Sequence, residues 1–113
     1  MAAMTTVLEE FSDKENSRTF ALSGHTVQAP QLVIQKRKVA ATSTASQESV
    51  ITVIYGTSDS AGDPLQSKVA ISSTVRYPVN GDAADVSAAL VVFRDIIASD
   101  EFTDLVNSQK YVA

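Results

Sequence analysis

The chain has 113 residues, 44% of them hydrophobic and 19% charged, with a net charge of −4. That length suits a single domain with one core, small enough to gain from a partner subunit. The absence of cysteine excludes disulfides and thiol chemistry, no apolar run is long enough to span a membrane as a helix, and Met1 to Thr6 lacks the basic start and apolar segment of a secretory signal.

Thr5 to Phe11 and Arg18 to Leu22 are short runs of strand-type residues separated by the polar Asp13 to Ser17, which predicts a β-hairpin within residues 1–24. Val7 to Phe11 alternates imperfectly and fits one helical turn as well. Gly24 and Pro30 bracket His25 to Ala29, a short edge segment leading into a main sheet over residues 25–78. Three runs build that sheet: Gln31 to Ala40, Glu48 to Tyr55 and Lys68 to Pro78. Successive side chains on a strand point to opposite faces. In the first run Leu32 and Ile34 therefore share one face and Gln35 and Arg37 the other. Thr42 to Gln47 is a polar connector without an apolar anchor, an exposed loop. Val50 to Tyr55 is nearly continuous in β-branched and aromatic residues, as in a central strand partly covered on both sides. Residues 56–67 form a loop too long for a tight turn. In the last run Val69, Ile71, Val75 and Tyr77 face one way, and Lys68, Ala70, Ser72, Thr74 and Arg76 the other.

Pro78, Asn80 and Gly81 close the sheet, and residues 82–113 change period. Val86, Leu90, Phe93 and Ile97, with Ala89 and Ile96, recur at helical spacing through Asp85 to Ala98, behind Asp82 or Asp85 as the cap. Ser99 and Asp100 open a second, shorter helix that buries Phe102, Leu105 and Val106, and Tyr111 and Val112 leave the tail apolar enough to dock. Strands followed by helices without alternation make this an α+β fold, with both helices packed on one face of an antiparallel sheet and the other face open.

Catalytic chemistry finds little support. Gly56 to Ser60 resembles a nucleophile elbow except at its last position, and no helix follows. His25 is the only histidine, with no carboxylate and serine placed beside it. Asp59 and Asp63 share a loop, but Ala61 and Ala70 stand where a calcium loop needs oxygen ligands, so this is a solvated loop. There is no P-loop and no dinucleotide fingerprint. No catalytic residue, metal or cofactor is expected, and the protein reads as a non-enzyme.

The charge distribution says more. Between Gln31 and Pro78, Lys36, Arg37, Lys38, Lys68 and Arg76 stand against Glu48, Asp59 and Asp63, a net +2 within a chain of net −4. A locally basic sheet on an acidic protein can hold a polyanion through short-range, salt-sensitive contacts. The cluster Lys36-Arg37-Lys38 reads either as a solvated strand end or as part of such a surface. In the second reading Gln35, Arg37, Thr52, Lys68, Ser72, Thr74 and Arg76 share one polar face, where cations hold phosphates and the Thr, Ser and Gln side chains meet sugar hydroxyls and base edges of folded or single-stranded RNA. Tyr55 and Tyr77 fall on the other face, so stacking aromatics are missing.

The order of elements resembles the levivirus-like coat proteins of single-stranded RNA bacteriophages over essentially the whole length. Ala29-Pro30-Gln31-Leu32-Val33-Ile34-Gln35-Lys36-Arg37-Lys38 carries the resemblance, with Lys68 to Pro78 and Gly81 to Val86 running on into Ser99-Asp100-Glu101-Phe102. It implies an interlocked homodimer with sheets joined edge to edge and each subunit's helices reaching across the partner through Val86, Leu90, Phe93, Ile97, Phe102 and Leu105. It further implies an icosahedral shell of many dimers around the genomic RNA, in a virion assembled in the bacterial cytoplasm. In that family the open sheet face looks inward and binds RNA, including a translational operator hairpin in some members, and the loop at 56–67 meets its copies at symmetry axes. The chain departs from the better-known members in its shorter length and compressed N-terminal region. A non-viral oligomeric RNA-binding or scaffold module using the same sheet is the alternative.

Overall fold

The structure is a computed structural model describing residues 3–39, 41–42 and 45–111, with the backbone but not the side chains of Asp13 and Lys14. The expectations for Met1, Ala40, Ser43, Thr44 and Val112 lie outside the described residues.

Five strands, β1 (Glu9–Lys14), β2 (Ser17–Ala21), β3 (Gln31–Lys38), β4 (Ser46–Tyr55) and β5 (Val69–Pro78), form one antiparallel meander whose spatial order equals the chain order. The predicted hairpin forms, shifted towards the C-terminus. Glu15 and Asn16 make a two-residue turn, Lys14 pairs with Ser17, and a bulge at Phe11 shifts the register between Glu10 and Ser12. The charged ends of β1 are tolerated because it is an edge strand with one side free to solvent. The Arg37 N–H donates to the Asn16 carbonyl at 3.0 Å and ties the turn to β3.

His25 to Ala29 is not an edge segment. The His25 N–H donates to the Leu22 carbonyl and the Thr26 N–H to that of Ala29, while Thr26 Oγ1 accepts from the Ala29 N–H at 2.9 Å. These bonds close the segment into a local turn rather than a strand. His25 Nδ1 accepts from the Gln31 N–H at 3.1 Å, and its ring meets Phe11 edge-on at 5.2 Å. The 56–67 loop folds back on itself. Ser58 bridges Pro64, Asp59 Oδ1 accepts from the Ala61 and Asp63 N–H groups, and Gly62 at φ +90 takes the left-handed turn that a side chain would strain.

The helical elements are α1 (Ala83–Ile97) and α2 (Asp100–Ser108). Of the two candidate caps it is Asp82 that serves, accepting from the Ala84 N–H at 2.9 Å. Ser99 caps α2 by accepting from the Phe102 N–H at 3.2 Å, and Gln109 ends it in the left-handed conformation. The chain divides into two compact units, the sheet up to Val79 and the helices from Asn80. Within the described residues of the sheet unit only Ala21, Pro30 and Val33 are buried, and neither helix contains a buried residue.

Candidate nucleic-acid interface

Directly paired residues of antiparallel strands share a face, so the register sorts the sheet into two surfaces. On the first, Val33 pairs with Val53 and Val53 with Ile71, Tyr55 pairs with Val69, and Ser49 with Val75. Gln35, opposite Arg18 and Ile51, and Arg37, opposite Ser49, belong to this apolar face. On the second, four rows cross β3, β4 and β5: Leu32, Ile54 and Ala70; then Ile34, Thr52 and Ser72; then Lys36, Val50 and Thr74; and last Lys38, Glu48 and Arg76.

The seven residues expected to share one polar face are therefore divided. Thr52, Ser72, Thr74 and Arg76 do lie together. Gln35 and Arg37 are on the opposite side, where Arg37 Nε donates to Asn16 Oδ1 at 3.4 Å. Lys68 precedes β5, its Nζ donating to the Gln66 carbonyl at 3.3 Å. The physical reason is the run Leu32-Val33-Ile34, apolar on both sides, which gives no cue as to which face matches the oily side of β5. The cations in phase with the hydroxyl face are Lys36 and Lys38, both exposed. Their alternation with Leu32 and Ile34 is visible in the sequence, but the cross-strand register that turns them towards Thr52 is not. Tyr55 and Tyr77 fall on the first face as expected.

The second face is graded along the strand direction. Apolar residues occupy one end and hydroxyls the middle, with Thr52 Oγ1 and Ser72 Oγ 2.9 Å apart; charges occupy the other end. There Glu48 Oε2 accepts from Arg76 Nε at 3.0 Å and Nη2 at 2.8 Å. Such a surface offers cations for phosphates at one edge and hydrogen-bonding side chains for sugars and bases beside them, and no arrangement suited to covalent or acid–base chemistry.

The expected interface residues Val86, Leu90, Phe93 and Ile97 do recur along α1, with Phe102 and Leu105 on α2. Val86, Leu90, Phe102 and Leu105 are half-buried, whereas Phe93 and Ile97 are exposed. Val91 and Val92, absent from the expected stripe, are also exposed and make α1 apolar around most of its girth.

No protein-family model and no curated protein matches the sequence. Solved structures do. The virus-like particle of Wenzhou levi-like virus 4 superposes with a TM-score of 0.85 at 13% identity, covering 99% of this chain and 82% of that one. That of Beihai levi-like virus 32 gives 0.76 at 14% identity, covering 96% and 89%. That of bacteriophage AVE019 gives 0.70 at 14%, covering 98% and 91%. The fold is that of levi-like virus-like particles. A five-stranded antiparallel sheet followed by two helices, the α+β class expected from the sequence, is thus the levi-like arrangement in this chain.

Proposed function

We propose that the chain is a capsid subunit that dimerises, closes into an icosahedral shell with many copies of itself, and packages single-stranded RNA against the second face of its sheet. The observation that carries this is the amount of apolar surface without cover. Ile51, Tyr55, Val69 and Ile71 are exposed on the first sheet face, and Val91, Val92, Phe93, Ile96 and Ile97 on α1. Contiguous apolar surface of this kind marks a protein interaction site, and a chain of this size needs that burial for stability. A second copy supplies the matching surfaces: the helices of each subunit cover the first sheet face of the other, and the two β5 edges join. Kinship of fold with virus-like particles supports the same occupant.

The second face then stays open, and Lys36 and Lys38 hold phosphates while Thr52, Ser72 and Thr74 contact sugars and bases. The place of the protein is the virion, after assembly in the cytoplasm of a bacterial host. Electron microscopy of the purified full chain, with the 260 to 280 nm absorbance ratio and nuclease digestion, tests this. Closed particles containing RNA are expected. A monomer without RNA refutes the proposal, and small oligomers that bind RNA without closing establish the scaffold module instead. Lys36→Gln and Lys38→Gln should each weaken RNA binding and reduce its salt slope by about 0.7.

A further inference from the structure

Glu48 is the one acidic residue in β3, β4 and β5. It stands in the cationic row of the second face, opposite Lys38 on one side and Arg76 on the other. Its Oε2 takes two N–H donors of Arg76 at once, at 3.0 and 2.8 Å, and so occupies the planar Nε/Nη2 fork that a phosphate oxygen would use. The pair is wet, with the Arg76 side chain 67% exposed and that of Glu48 27%, so its partner can be exchanged.

We propose, resting on the RNA-binding reading above, that Glu48 is an internal competitor for RNA phosphate that masks Arg76. Lys36 and Lys38 then carry the grip on the backbone, and Arg76 is held in reserve. A phosphate reaching Arg76 must displace a carboxylate, and the freed carboxylate takes up a cation. The counterion release that drives binding at an unpaired cation is largely cancelled there. Glu48 thereby sets a ceiling on affinity and on its dependence on salt.

The test is a salt titration of a labelled single-stranded oligouridylate against the full chain and its near-isosteric variants. Glu48→Gln should steepen the plot of log affinity against log salt by about 0.7, equivalent to about fivefold tighter binding at 0.1 M salt relative to 1 M. Arg76→Gln alone should leave the slope unchanged. In the Glu48→Gln background the same change should return the slope to that of the parent. If Arg76→Gln alone flattens the slope by as much as Lys36→Gln does, Arg76 already contacts RNA and the masking idea is overturned. It is also overturned if Glu48→Gln acts equally whether or not Arg76 is present, since Glu48 would then be only a general negative charge. A separate failure, in which Lys36→Gln and Lys38→Gln leave binding untouched, removes the RNA face itself.

Discussion

Truncating Phe93 to alanine tests the proposed dimer. Phe93 lies on α1 and is 43% exposed in the isolated chain. An aromatic side chain presents on the order of 200 Å², so about 90 Å² of ring surface is open for the proposed partner to bury. At about 25 cal/mol per Å² that is about 2 kcal/mol per copy. Alanine keeps part of the contact, and two-fold symmetry counts the loss twice, which leaves about 3 kcal/mol per dimer. The dimer should then dissociate about 100-fold more readily. Sedimentation equilibrium over a dilution series measures this directly, with helix content followed by circular dichroism. An unchanged association constant in a variant that keeps its helices would refute the claim that this surface is covered by a second copy.

Four further substitutions probe the subunit itself. Val33→Ala, at one of the three buried positions of the sheet unit's described residues, should lower stability by about 1 to 2 kcal/mol in urea denaturation, because its neighbours cannot close the gap. Asp82→Ala and Ser99→Ala each remove a helix cap and should each cost about 1 kcal/mol, read as a fall in the thermal midpoint. Gly62→Ala should cost up to about 1 kcal/mol through its positive φ, with no steric contribution because nothing lies near the added carbon.

Local pattern made the elements legible, and non-local pairing decided what they presented. The alternation in β5 and the helical spacing of Val86, Leu90, Phe93 and Ile97 announced their structures from a few residues each. The helix starts were narrowed to Asp82 or Asp85 and to Ser99 with Asp100, because a cap acts on backbone two or three positions away, and the structure selects Asp82 and Ser99. The β1–β2 hairpin was visible, but its exact placement was not. The bulge at Phe11 and the tight turn at Glu15–Asn16 moved the strand onto residues that are polar or charged. The candidate site suffered most. β3 and β4 are apolar on both sides over much of their length, so the phase linking Lys36 and Lys38, rather than Gln35 and Arg37, to the hydroxyls of β5 came from the pairing of Ile34 with Thr52 and Thr52 with Ser72. A change of one residue in that register would exchange the two surfaces.

The two borders of the sheet differ in kind. β1 carries Glu9 and Glu10, kinks at Phe11 and spans six residues, all devices that discourage another strand from docking. β5 is ten residues long, pairs with β4 without a break in register, and has Arg76 as its sole charge. One border invites an addition and the other repels it. A ribbon built this way can be lengthened once, by an identical ribbon turned through half a revolution, and is then fenced at both extremities by acidic, buckled strands. In the proposed dimer, the geometry that joins the pair also stops it from growing into a fibre.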